Sequence, residues 1–129
     1  MSFYSKVLVL AVVIVMAGCS SAPILNVRDT AITSATGKPL SKAEVRSAIV
    51  RAGSALGWQI KDEGADVLVG SIQLRKHTAV IAIPYSAQAY SINYRSSSNL
   101  DEHGGTIHKN YNGWVQNLTL GINAQLTGS

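Results

Sequence analysis

The chain has 129 residues, a formal net charge of +4 and a single cysteine. One cysteine excludes a disulfide within the chain, and the length is that of one ordinary domain. Lys and Arg together number 11 against 7 Asp and Glu, but they are scattered along the sequence, whereas a nucleic-acid-binding surface concentrates them. The composition therefore predicts one domain, held by a hydrophobic core alone, with no nucleic-acid partner.

Residues 6–21 read KVLVLAVVIVMAGCSS, which is a lysine, eleven uninterrupted apolar residues, a glycine, the single cysteine and two serines. A basic start, an apolar stretch of about 7–15 residues and small residues at its end are the parts of a secretory signal peptide. Eleven helical residues extend only about 16 Å, well short of the ~30 Å hydrocarbon core that a transmembrane helix crosses. We therefore expect residues 1–18 to be a signal peptide that is removed on export.

Met16-Ala17-Gly18-Cys19 resembles the lipobox of bacterial lipoproteins, in which leucine is more usual than methionine at the first position. The resemblance implies that a diacylglyceryl group is attached to the Cys19 sulfur, that the chain is cleaved after Gly18, and that the new amino terminus is acylated. One acyl chain binds a membrane reversibly, whereas two or more anchor a protein stably. Serine, not aspartate, follows the cysteine, which for such a lipoprotein implies the outer membrane and its periplasmic side rather than the inner membrane.

The segment after the cysteine, residues 19–40, is rich in Ser, Thr, Gly and Pro. This composition is typical of loops, and we expect the segment to form the lipidated N-terminus and a tether. A short strand around residues 24–27 is an alternative that the pattern leaves open. Residues 41–129 form the predicted domain.

A helix is predicted over residues 42–56. Ser41 and Glu44 have the spacing of a capping box, in which each side chain accepts a hydrogen bond from the other residue's backbone N–H. Apolar residues then recur every three or four positions, which is typical of a helix with one buried face. Gly57 follows at the position where a left-handed glycine commonly ends a helix.

Residues 58–95 change to a period of two. Apolar and polar residues alternate in short runs separated by turn-forming residues, which predicts an antiparallel meander of three to four strands. A polar loop over residues 96–105 leads to a last helix predicted over 107–126, with Thr106 as its N-cap. The order α-β-β-β-α, with the short strand as an optional addition before it, predicts a two-layer α+β fold in which both helices cover one face of the sheet and the other face is solvated.

Three histidines are the first candidates for chemistry: His77, His103 and His108. His103 and His108 are five residues apart and lack the i, i+4 spacing of a zinc-binding helix. A nucleophile motif of the G-x-S-x-G type is absent from the sequence. We therefore predict exposed loop histidines, with no catalytic residue, no metal and no cofactor. The alternative is a small hydrolase or metal-dependent envelope enzyme that uses His77, His108 and Tyr111.

The segment 106–118 places two aromatic residues, Tyr111 and Trp114, among four amide side chains. Aromatic rings bordered by amides can bind sugars by stacking and hydrogen bonding. The helical spacing of Tyr111, Trp114 and Leu118 instead favours the core face of a helix. A ligand site here requires that at least one of the two rings is exposed.

Residues 75–100 and 106–118 are similar to a family of small uncharacterised proteobacterial lipoproteins in which an R-x-H strand, a YSI-x-Y strand, an S-x-NL loop and an IH-x-x-YN-x-WV-x-NL helix recur. Together with the signal, the resemblance covers well over half of the chain. It implies an α+β periplasmic domain and assigns no activity. It also implies that the following residues form either a polar cluster that locks the last helix to the sheet or a ligand site: Arg75, His77, Tyr90, Tyr94, Ser98, Asn99, Leu100, His108, Tyr111, Asn112 and Trp114.

The sequence as a whole predicts a non-enzymatic cell-envelope lipoprotein. Its membrane contact is the lipid on Cys19, and its domain serves as a tethered binding or structural module in the periplasm. An envelope protein or a glycan is the expected partner.

Overall fold

The computed structural model describes residues 20–128. The predicted signal peptide and the lipidation site Cys19 lie outside the described residues. Within residues 20–128, no helix is both long and apolar enough to cross a lipid bilayer.

Residues 20–128 form two helices and seven strands, in the order β1 (Ser21–Pro23), β2 (Val27–Ala31), α1 (Lys42–Ala55), β3 (Gln59–Asp62), β4 (Val67–Leu74), β5 (His77–Pro84), β6 (Ala89–Ser98), β7 (Thr106–His108) and α2 (Lys109–Thr127). One antiparallel sheet has the strand order β2-β6-β5-β4-β3, and β1 pairs with β7 in a separate two-stranded ribbon. The predicted α+β class and the meander, β3 to β6, are confirmed. The sheet has five strands instead of three to four because the predicted tether contributes an edge strand.

The first helix, α1, begins at the predicted residue, Lys42, and ends at Ala55, one residue before the predicted end. Ser41 Oγ accepts the N–H of Glu44 at 3.1 Å, and Glu44 Oε1 accepts the N–H of Ser41 at 3.0 Å, which completes the capping box. This hydrogen bond from Ser41 also lowers the pKa of the Glu44 carboxyl. At the other end Gly57 has a φ of 92°, a left-handed conformation that glycine adopts without steric cost.

The core lies between one face of the five-stranded sheet and the two helices. Burying one large aliphatic side chain contributes about 1.5–3 kcal/mol, so such a core is the main source of stability. Gly53 lets α1 lie close to β3, because a Cβ at that position would come within 2.7 Å of Ile60 Cγ1. The fully buried Val, Leu and Ile side chains of the sheet and the helices are Leu68, Ile81, Ile83, Ile92, Val45, Ile49, Val115, Leu118 and Ile122.

The second helix, α2, begins later than the sequence predicted. Residues Thr106–His108 form β7, and Ile107, which pairs with Ala22 of β1, is fully buried. The N-cap is His108, whose Nδ1 accepts the N–H of Asn110 at 3.2 Å. The prediction of Thr106 as the N-cap is therefore wrong, because pairing with a strand from the other end of the chain outweighs local helical periodicity.

The predicted tether is bound to the domain over much of its length. β2 pairs with β6 along the sheet edge, and Asn26 Oδ1 accepts the N–H of Tyr94 at 2.8 Å. The strand that the sequence left open around 24–27 is thus found slightly later, at Val27–Ala31. We call residues 21–26, which run from β1 to β2, the N-terminal strap.

An ion pair links two parts of the sheet. A β-bulge in β6 leaves Arg95 without a partner residue on β5. Its two terminal nitrogens lie 2.5 and 2.7 Å from the carboxylate oxygens of Glu63, which follows β3. This hydrogen-bonded pair lowers the pKa of Glu63. The pair joins β6 to the β3–β4 hairpin. Ala82 alternates with the core residues Ile81 and Ile83 and therefore lies on the sheet face opposite the helices, yet it is only 8% exposed, so this face is less solvated than the sequence predicted.

Candidate functional site

The residues that the sequence singled out fall into two polar groups and a buried aromatic pair. One group joins the β4–β5 hairpin to the loop that follows β6. The other group joins α2 to the N-terminal strap. The tyrosines lie between the sheet and α2.

His77 and Asn99 tie the β4–β5 hairpin to the end of β6. His77 Nδ1 lies 2.6 Å from the carbonyl oxygen of Asn99, and since a carbonyl oxygen can only accept, this nitrogen carries the proton. Asn99 Nδ2 in turn donates to the carbonyl oxygen of Lys76 at 2.7 Å. The neighbouring hydroxyls of Ser98 and Thr78 are hydrogen-bonded to each other. These contacts hold two chain segments together, which is a structural role.

Arg75 and Leu100 lie beside this contact in different environments. Arg75 is exposed in the two-residue turn of the hairpin, with a φ of 57°. Leu100 is 2% exposed and belongs to the core, and its carbonyl oxygen accepts the N–H of His108 at 2.8 Å. His77 and His108 therefore both contact the segment 99–100, but His77 does so with its ring and His108 with its backbone.

The histidine rings do not form a metal centre in the described part of the chain. His108 uses Nδ1 to cap α2, and His103 is exposed in the loop before β7, where its backbone pairs with Thr106. Between residues 20 and 128, no group of three or more His, Cys, Asp or Glu side chains is placed to hold a metal ion.

Tyr111 is a core residue. It is fully buried, and its ring meets that of Tyr94 edge to face, with 5.5 Å between the centroids. Its hydroxyl lacks a hydrogen-bond partner within residues 20–128, and burial strongly raises its pKa. Tyr90 is also buried, which raises its pKa to about 12, but its hydroxyl donates to Asn123 Oδ1 at 2.7 Å. Both phenols are therefore protonated at neutral pH and shielded from solvent.

Asn112 clamps the N-terminal strap to the first turn of α2. Its Oδ1 accepts the N–H of Leu25 at 2.9 Å, and its Nδ2 donates to the carbonyl oxygen of Pro23 at 2.8 Å. One side-chain amide thus makes the donor–acceptor pair that a neighbouring strand would make. The strap is thereby held along α2 as well as along β7.

Trp114 is the more accessible of the two aromatic residues in the segment 106–118. It is partly buried against the core and borders an open depression of about 540 Å³ between α2 and β1. Gly113 lies beside open space, since a Cβ there would meet nothing within 4 Å. We call the surface of this depression the Trp114 face; it is lined by Ala22, Lys109, Asn110, Asn112, Gly113, Trp114, Gln116 and Asn117.

The Trp114 face combines one aromatic ring, one cation and several amides, and none of its lining residues is acidic. The structure thus brings Asn112 and Trp114 together, places His77 in the separate hairpin contact with Arg75 exposed beside it, and buries Tyr111. The contribution of Ala22 was not predicted, because β1 carries no local signal that it lies beside α2.

No family model, curated protein or solved structure matches the chain.

Proposed function

We propose that this protein is a cell-envelope lipoprotein, anchored by lipid on Cys19, whose α+β domain is a non-enzymatic binding or structural module on the periplasmic side of the outer membrane. The observation that carries the proposal is the sequence of residues 6–19, in which a basic residue and a short apolar run end in a lipobox pattern. A thiol is the nucleophile that lipid transfer requires. Two or more acyl chains would make the attachment stable.

The non-enzymatic part of the proposal is supported by what the candidate catalytic groups do. His77 holds the β4–β5 hairpin to the loop after β6, and His108 caps α2. Tyr111 is fully buried, with its pKa raised far above neutral pH. His77, His108 and Tyr111, the three residues of the enzymatic alternative, each stabilise the fold. These observations favour a binding or structural module over an enzyme.

The binding part of the proposal is supported by Trp114. An indole ring that is half-buried, in a depression bordered by amides, has an apolar face and hydrogen-bonding groups within one surface, which is the usual composition of a recognition patch.

Metabolic labelling with a radioactive fatty acid tests the anchor. We expect label in the wild-type protein and in the matched control Ser20→Ala, and none in Cys19→Ala, which should also leave the membrane fraction. Equal labelling of wild type and Cys19→Ala would refute the proposal.

Ser20→Asp, which places aspartate beside the cysteine, should keep its label and move to the inner-membrane fraction of a density gradient. Its retention in the outer membrane would refute the assignment to the outer membrane.

A further inference from the structure

We infer that the Trp114 face lies against phospholipid headgroups, so that the domain contacts the membrane surface directly instead of being separated from it by a flexible linker. The inference rests on the proposed lipidation of Cys19 and adds an orientation to it. Three observations carry it: the number of residues between Cys19 and β1 in the sequence, the hydrogen bonds that hold β1 and the N-terminal strap to the fold, and the chemistry of the surface beside them.

The connection between anchor and fold is short. Cys19 precedes Ser21 by two residues, and consecutive Cα atoms are 3.8 Å apart, so the two Cα atoms lie within about 7.6 Å of each other. Ser21 is paired with His108, and paired Cα atoms in an antiparallel ladder are about 4.5–5.5 Å apart. The lipid-bearing residue is therefore confined to within about 13 Å of the N-cap of α2.

The connection is also held in place. Asn112 makes two hydrogen bonds to the N-terminal strap, and the N–H of Ile24 donates to the carbonyl oxygen of Gly105 at 2.9 Å. Ala22, in the middle of β1, lines the Trp114 face itself. Trp114 lies six residues after His108, which is about 9 Å along the helix axis. β1 and the Trp114 face are therefore held together in the fold, and the proposed anchor precedes β1 by two residues in the sequence.

The chemistry of the face suits a headgroup layer. Tryptophan prefers the level of lipid headgroups, where its ring is in apolar surroundings and its N–H meets polar groups. Lys109 supplies a cation for lipid phosphate, and the amides of Asn110, Gln116 and Asn117 supply further hydrogen-bonding groups. A glycan could use the same groups, but the position of the anchor beside them favours the bilayer.

The chain contains two tryptophans, Trp58 and Trp114, which allows a matched comparison. Trp58 is 3% exposed and follows α1, whose end packs on Gly121 in the second half of α2. Gly121 is seven residues from Trp114, about 10 Å along the helix axis. Trp58 is therefore a reference residue that is enclosed in the core, whereas Trp114 borders the proposed contact.

The experiment uses the lipidated protein, purified from membranes and reconstituted into phosphatidylethanolamine–phosphatidylglycerol vesicles with or without brominated acyl chains. Trp58→Phe leaves only Trp114 to fluoresce, and Trp114→Phe leaves only Trp58. We expect brominated lipid to quench Trp114 at least about twofold more strongly than Trp58.

Because Trp58 is a core residue, a second pair of variants keeps both tryptophans. An environment-sensitive fluorophore is attached to Asn117→Cys on the Trp114 face or to Gln73→Cys, an exposed position on β4. Blue-shifted emission on vesicle binding is expected for the first variant alone.

Protein that floats with the vesicles but shows equal quenching of both tryptophans and equal probe spectra overturns this inference alone. The Trp114 face would then be open to a soluble partner such as a glycan. Protein that carries no lipid and does not float overturns the proposed function, and this inference with it.

Discussion

We expect Tyr111→Phe to stabilise the protein, although the substitution is made in the middle of the core. Tyr111 is fully buried, and its hydroxyl lacks a partner in the described part of the chain. A buried polar group without a hydrogen bond costs about 1–3 kcal/mol, and removing the oxygen removes that cost. The phenylalanine ring keeps the edge-to-face contact with Tyr94, so the gain in the free energy of unfolding lies within this range.

Tyr90→Phe is the matched control, since it makes the same chemical change between the same sheet and α2. Its hydroxyl donates to Asn123 Oδ1 at 2.7 Å, and losing a hydrogen bond of this kind costs about 0.5–1.5 kcal/mol. The two variants should thus change stability in opposite directions. For a domain of this size, each 1 kcal/mol corresponds to about 4–8 °C in Tm.

The assay is urea unfolding at pH 7, followed by far-ultraviolet circular dichroism, on the chain that begins at residue 20. If the slope of the unfolding free energy against urea concentration is the same for the wild type and both variants, they unfold from a similar folded state. If Tyr111→Phe were less stable than the wild type by more than about 1 kcal/mol, the Tyr111 hydroxyl would be making a favourable hydrogen bond, and the reasoning would be refuted.

Three further predictions concern the strap, the first helix and the response to alkali. Asn112→Ala should lower the free energy of unfolding by about 1–3 kcal/mol and speed amide hydrogen exchange in the N-terminal strap, because two hydrogen bonds are lost. The control Asn117→Ala, at an exposed position, should have little effect, and equal effects of the two substitutions would contradict the role of Asn112 in holding the strap. Ser41→Ala should cost about 1 kcal/mol through loss of the N-cap, measured by the same urea unfolding, and an unchanged stability would show that the cap contributes nothing. Burial raises the pKa of Tyr90 to about 12 and raises that of Tyr111 as well, so above pH 10 the unfolded chain loses these protons first and stability falls as the pH rises. Urea unfolding between pH 8 and 11 measures this, and a flat profile would refute it.

The first helix was predictable because all of its signals are local. Ser41 and Glu44 are three residues apart, the buried stripe lies within four turns, and Gly57 follows directly. The start of α2 was not predictable in this way. Thr106 and Ile107 fit the helical spacing of the residues after them, and only their pairing with β1 makes them a strand.

The candidate site likewise could be predicted only as far as local sequence patterns allow. The spacing of Tyr111 and Trp114 placed both rings near one face of a helix, but it could not decide which ring would be covered. Tyr94 packs against Tyr111, whereas β1 leaves Trp114 bordering an open depression. The role of Asn112 depends on Pro23 and Leu25, which are 89 and 87 residues away in sequence, so no local pattern could indicate it.

The contact between the N-terminal strap and α2 has a consequence for the order of assembly. β3 to β6 form from neighbouring segments, whereas the strap closes a loop that spans most of the domain, and such long closures form late because of their entropic cost. If the chain is exported as proposed, the strap reaches the periplasm before α2 does. The proposed lipidation of Cys19 would then precede the closure of the loop between the strap and α2.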